Sequence, residues 1–69
     1  MNVYVVMDVT DNEGGWVVGV AASQVTARSL AESAAGKSLG WRESPSGLYA
    51  RAYDHGANFY QIEPHEVQP

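Results

Sequence analysis

A chain of 69 residues that contains no cysteine has to fold without disulfide bonds and without thiolate metal sites. A domain of this size buries only about 60% of the surface that its unfolded chain exposes, so its core is small and its stability is marginal. The length allows one domain. We therefore expect the chain to gain stability from oligomerisation or from a bound partner protein.

The composition is typical of a folded protein with an acidic surface. Hydrophobic residues make up 45% of the chain and aromatic residues 10%, which argues against disorder. Eight acidic and four basic residues give a net charge of −4, and the four cations are scattered along the chain. Nucleic-acid binding relies on clustered cations, so we expect none. We also expect a cytoplasmic protein with no membrane segment, because the chain lacks an apolar run long enough to cross a bilayer.

Two hairpins are indicated by the hydrophobic pattern. Residues 2–9 alternate in the strand period, with Val3, Val5, Met7 and Val9 on one face. After a segment rich in turn-forming residues, 16–21 are β-branched and aromatic, which predicts a hairpin with the first strand.

The second hairpin is predicted near the end of the chain. Residues 48–53 and 58–63 form its strands, and a short strand at 41–43 precedes them. Pro64 is expected to end the last strand, and residues 65–69 are expected to form a flexible C-terminal tail.

One helix is predicted between the hairpins. Ser23 is placed to cap its N-terminus and Gly36 to end it. The expected buried stripe has the i, i+3, i+4, i+7 spacing and consists of Ala27, Leu30, Ala31 and Ala34. Because this stripe is mostly alanine, the helix should approach its sheet closely. The predicted fold is therefore α+β: residues 1–64 form a small antiparallel sheet with one helix packed on one face, in the order β-β-α-β-β-β.

The turn at residues 54–57 decides which side chains of the last hairpin share a face. A turn centred on His55 and Gly56 would place Tyr53 opposite Asn58. One face of the sheet then carries Tyr49, Arg51, Tyr53, Tyr60 and Ile62, and the other carries Leu48, Ala50, Ala52 and Phe59. The first face is the larger, and we expect the helix to cover it, with the opposite assignment as the alternative.

A single helix covers only one face of a sheet that is apolar on both, so the second face is the predicted site of contact with another chain. Trp16 and Trp41 lie beside predicted turns, where large rings often anchor interfaces. The full candidate interface consists of Tyr4, Val6, Leu48, Ala50, Ala52, Phe59, Trp16 and Trp41.

Catalytic and metal-binding patterns are weak in this sequence. His55 and His65 are the only histidines, and the acidic neighbours Asp54 and Glu66 point away from them in an extended chain or a turn. The serines lie in no nucleophile motif, and Gly14 and Gly15 precede a strand rather than a helix. We therefore expect a protein that is not an enzyme and that binds no metal or cofactor.

Three segments resemble a family of small uncharacterised bacterial and phage proteins. They are Val-Tyr-Val-Val at 3–6, Gly-Val-Ala at 19–21 before the helix, and Tyr-Gln-Ile-Glu at 60–63. The resemblance implies a similar fold and a phage context, and it carries no functional residue. The alanine, glycine and valine content also suggests GC-rich coding DNA, as in actinobacteria and their phages.

The function predicted from the sequence is that of a small non-enzymatic interaction protein. It would be a homodimer or an accessory factor that binds another protein, including a phage-encoded modulator of a host protein. The alternative is a protein that binds a small ligand or single-stranded nucleic acid on the tyrosine-bearing sheet face.

Overall fold

In a computed structural model of the chain, five strands form one antiparallel sheet and a helix packs on it. The structure describes residues 1–10, 14–44, 50–53 and 58–67. The elements in chain order are β1 (Asn2–Thr10), β2 (Gly14–Ala21), α1 (Gln24–Ala35), β3 (Arg42–Glu43), β4 (Ala50–Tyr53) and β5 (Asn58–Glu66). The α+β class, the antiparallel sheet and its helix are confirmed.

The strands lie in the order β2-β1-β5-β4-β3, so the first and last strands of the chain are neighbours in the sheet. β1 and β5 pair along their whole lengths, from Asn2 opposite Glu66 to Thr10 opposite Asn58. The predicted hairpins, β1 with β2 and β4 with β5, are both present. β2 and β3 form the two edges of the sheet.

Both predicted ends of the helix are observed. Ser23 has extended backbone angles, and its side chain accepts a hydrogen bond from the Thr26 amide. At the other end Gly36 adopts a left-handed conformation with φ of 74°, and the amides of Gly36 and Lys37 both donate to the Glu32 carbonyl.

Small residues let α1 lie close to the sheet. Ala27 and Ala31 are fully buried, and Leu30 packs beside them. Ala34, predicted to complete the stripe, is exposed, and Ala35 packs against the core instead. Ala35 follows Arg28 and Glu32 along one side of the helix, the side on which the next segment of chain returns.

That returning segment is held to α1 by side-chain contacts. Glu32 Oε2 accepts hydrogen bonds from the Leu39 amide at 2.9 Å and from Trp41 Nε1 at 3.3 Å. Arg28 Nη2 lies 3.0 Å from Glu43 Oε1, in an ion pair that is partly exposed. The indole of Trp41 therefore serves to close the core at this end of the helix.

The register of the last hairpin differs by one residue from the predicted one. Tyr53 lies opposite Phe59 and Ala52 opposite Tyr60, whereas the prediction placed Tyr53 opposite Asn58. A shift of one residue moves every side chain of one strand to the other face. Tyr60 and Ile62 lie beneath the helix as predicted, but Ala52 rather than Arg51 shares their face of the sheet, and Arg51 lies on the opposite face.

β5 does not end at Pro64 as predicted, and continues to Glu66. The Val67 amide donates to the Met1 carbonyl at 2.9 Å, which makes Met1 and Val67 a hydrogen-bonded pair of the antiparallel ladder. Hydrogen-bonded and non-hydrogen-bonded pairs alternate along such a ladder, so Tyr4 and Pro64 form a non-hydrogen-bonded pair. In this position the nitrogen of Pro64 faces away from β1. The proline therefore removes no hydrogen bond between β1 and β5.

Candidate protein-interaction surface

The sheet face opposite α1 is the candidate functional site, and we call it the open face. Within the described ranges α1 is the only element outside the sheet, and it packs on the other face against β1, β2 and β5. The side chains of the open face follow from the strand register: Val3, Val5, Met7, Val9, Val17, Val20, Arg42, Arg51, Phe59, Gln61, Glu63 and His65.

One half of the open face is apolar. β1 contributes four apolar side chains at alternate positions, and β2 extends this surface with Val20 opposite Val5 and Val17 opposite Met7. Val17 is 55% exposed and Val20 is 56% exposed. The two rows form one continuous apolar surface that reaches the β2 edge of the sheet.

A β-bulge accounts for the spacing of these two valines. Val6 pairs with Gly19 and Met7 with Val17, so Val18 is the extra residue on β2. The bulge lets Val17 and Val20, three residues apart, share one face, while Val18 packs against the core on the other. Without it, an odd spacing would place the two valines on opposite faces.

The other half of the open face carries a row of connected polar side chains. Arg51 Nη2 donates to Gln61 Oε1 at 2.9 Å, and Gln61 Nε2 donates to Glu63 Oε1. Glu63 Oε2 in turn lies 3.4 Å from His65 Nε2. The row runs beside the apolar half, with Gln61 opposite Met7 on β1.

Phe59 belongs to this half but is covered by its neighbour. The guanidinium carbon of Arg51 lies 4.6 Å from the centre of the Phe59 ring, and the residue is only 7% exposed. Phe59 is therefore on the face away from the helix, as predicted, although much of its ring is already out of solvent.

Three of the predicted interface residues lie on the wrong face for that role. Val6 is buried beneath α1, Tyr4 packs against the same core, and Ala52 is buried on the same side of the sheet as the helix. The alanine helix leaves room for rings on the sheet beneath it, and Tyr4 and Tyr60 lie there. The odd-numbered side chains of β1 are consequently the ones left uncovered.

The two tryptophans have different surroundings. Trp16 is 64% exposed and lies opposite Asp8, on the same side of the sheet as the helix. Trp41 is half-buried and packs on the core, where its Nε1 donates to Glu32. Neither belongs to the open face. Leu48 and the side chain of Ala50 lie outside the described residues.

The sequence pattern identified Val3, Val5, Met7 and Val9 as one face of a strand without assigning them to the interface. In an isolated strand four apolar residues predict the buried face, and nothing in β1 itself indicates the reverse. The feature that indicates which face of β1 is buried is the alanine stripe of α1, because such a stripe fits a sheet face that carries bulky rings. Val17 and Val20 were missed because a bulge is not visible in the pattern.

Among the described residues of the predicted tyrosine face, Tyr60 is buried beneath the helix and Arg51 lies on the opposite face, so the two do not form one surface. Tyr49 and the side chain of Tyr53 lie outside the described residues. Among the described residues no group of three or more histidines or carboxylates is placed to hold a metal ion. No helix in the same part of the chain has the length and apolar character to span a membrane.

Comparison of the chain with known proteins assigns no role to the open face. The resemblance to small bacterial and phage proteins stays an expectation from the sequence. No protein-family model matches the chain, and neither a curated protein nor a solved structure shows significant similarity to it.

Proposed function

We propose that this protein is a small non-enzymatic interaction module that binds another protein chain through the open face. The observation that carries this proposal is the apolar surface of β1 and β2, which ends in two valines that are each more than half exposed, Val17 and Val20. Contiguous apolar surface of this kind, bordered by polar side chains, is typical of protein-binding sites.

The small core supports the same proposal. Ile62 and Val6 are the largest side chains that are fully buried among the described residues, and alanines make up much of the rest of the core. Burying apolar surface contributes about 25 cal/mol per Å². A partner that covers the open face would therefore add stability to a domain that has little of its own.

The polar row suits the border of such an interface. Arg51, Gln61 and Glu63 are already joined by hydrogen bonds within one chain. A partner that covers them would meet side chains that already share hydrogen bonds, which lowers the cost of burying them. We place this interaction in the cytoplasm, and binding to a host protein by a phage-encoded chain is one form of it.

The proposal is tested with two variants that change charge equally. Val20→Lys places a cation on the open face, whereas Val25→Lys places one on the outer side of α1, where Val25 is 77% exposed. Immobilised wild type and both variants are incubated with a lysate of the native host, and retained proteins are purified and tested again for direct binding. We expect a protein that binds the wild type and Val25→Lys equally and binds Val20→Lys at least about tenfold more weakly. Equal binding of all three proteins would contradict the proposal.

A further inference from the structure

We infer that the occupant of the open face is a second copy of this chain, stacked face to face about a two-fold axis that runs perpendicular to the strands. This inference rests on the proposed function and names the partner. It is drawn from the area of the face, from the division of the face into apolar and polar rows, and from the positions of its charges.

The area is sufficient for a specific dimer. β1 and β5, of nine residues each, are roughly 30 Å long, and the four strands from β2 to β4 are roughly 19 Å wide. Since β4 is shorter, the flat area of the open face is roughly 500 Å². Two stacked faces would bury about 1,000 Å² in total, the lower bound expected of a specific interface.

The division into rows selects the direction of the axis. The apolar rows lie on β2 and β1, and the polar rows lie on β5 and β4. A two-fold axis perpendicular to the strands places each strand over its own image, so apolar rows meet apolar rows. An axis parallel to the strands and along β5, the middle strand of the five, places β1 over β4 of the second copy. Valines would then meet arginine.

An axis along β1 itself is also unfavourable. It would keep β1 over its own image but would place the β5 row over β2 of the second copy. Gln61 and Glu63 would then be buried against valine side chains, which offer no hydrogen bond. The perpendicular axis avoids both mismatches.

The charges of the open face are complementary under the same axis. The midpoint of the rows is the level of Val6 and Ile62, which are paired with each other. Rotation about this level brings Arg51, which lies level with Gln61, to the level of Glu63 in the second copy. A surface that carries both signs can pair with itself, whereas a surface of one sign would repel its own copy.

The rotation also predicts which residues of β1 face each other. Val3 of one copy lies over Val9 of the second copy, at the distance of about 10 Å that separates stacked sheets. Val3 and its own image are separated by a further six residues along the strand, or roughly 20 Å. For an axis along β1 the reverse holds, and Val3 would face Val3.

The test uses the absence of cysteine from the chain. Val3→Cys and Val9→Cys are prepared as single variants and treated with a short bis-maleimide, separately and as a mixture. Sedimentation equilibrium of the wild type and of both variants is measured over a range up to hundreds of micromolar. We expect dimers, and covalent dimers that form in the mixture at least about fivefold faster than in either variant alone.

Two results would overturn the inference. Cross-linking of Val3→Cys alone, in a chain that sediments as a dimer, would contradict the perpendicular axis. A wild type that stays monomeric at hundreds of micromolar would exclude the second copy as the occupant. The proposed function would then be decided separately, by whether Val20→Lys fails to bind a host protein that Val25→Lys binds.

Discussion

Arg51 lies with its guanidinium carbon 4.6 Å from the centre of the Phe59 ring, and the same guanidinium donates to Gln61. The arginine thus joins an aromatic ring of the open face to the polar row beside it. This position explains how a phenylalanine can lie away from the helix and still be almost fully buried.

Replacing Arg51 by alanine should lower the free energy of unfolding by about 1–2 kcal/mol, because the contact with Phe59 and the hydrogen bond to Gln61 are both lost. Arg42→Ala is the matched control, since Arg42 lies opposite Arg51 on β3 and is exposed. Its effect should stay within about 0.5 kcal/mol. Urea unfolding of both variants measures the difference, and equal losses would show that Arg51 has no special packing role.

The close approach of α1 to the sheet predicts that one alanine cannot be enlarged. Ala31→Leu should destabilise the protein by about 1–3 kcal/mol, because Ala31 is fully buried and a larger side chain would push the helix away from the sheet. Ala34→Leu adds the same atoms at an exposed position of the same helix and should change stability by less than about 0.5 kcal/mol. Thermal or urea unfolding that gave the reverse ranking would contradict the observed orientation of the helix.

The left-handed conformation of Gly36 predicts that a side chain at this position lowers the free energy of unfolding through backbone strain and not through a steric clash. A Cβ at Gly36 would meet no atom within 4 Å, so Gly36→Ala should cost about 1 kcal/mol through its φ of 74° alone. A Cβ at Gly40 also meets nothing within 4 Å, and no left-handed φ is present there. Gly40→Ala should therefore leave the free energy of unfolding unchanged or raise it slightly. A loss at Gly40 as large as that at Gly36 would contradict this explanation.

Glu32 should hold the segment after the helix in place. Glu32→Ala removes the acceptor for the Leu39 amide and for Trp41 Nε1, and should cost about 1–3 kcal/mol because these groups are partly buried. Glu32→Gln keeps an acceptor oxygen and should retain much of this stability. Tryptophan fluorescence should shift to longer wavelength in Glu32→Ala as Trp41 becomes exposed, and an unchanged spectrum would count against the contact.

The parts of the fold that depend on nearby residues could be predicted from the sequence. Ser23 and Gly36 mark the ends of α1 because their side-chain and backbone chemistry is local. The alternation of residues 2–9 predicts β1 for the same reason. Each of these features is determined by residues that lie within a few positions of it in the sequence.

The parts that depend on distant contacts could not be predicted. The faces of β4 relative to β5 follow from a register that differs by one residue from the simplest turn, and so Ala52 and Arg51 were assigned to the wrong sides. Pro64 continues its strand only because its nitrogen faces away from β1, which requires knowledge of the pairing. In the candidate site, Ala52 is misplaced because of this register, whereas Tyr4 and Val6 are misplaced because their face depends on the pairing of β1 with β5.

The central claim is that the open face binds a second copy of the chain, and sedimentation equilibrium of the wild type, Val20→Lys and Val25→Lys tests it most directly. We predict that the wild type and Val25→Lys form dimers with dissociation constants within about twofold of each other, and that Val20→Lys dissociates at least about tenfold more readily. Circular dichroism should show that all three proteins are folded. Dimers of equal affinity in all three would place the interface elsewhere on the molecule and contradict the account.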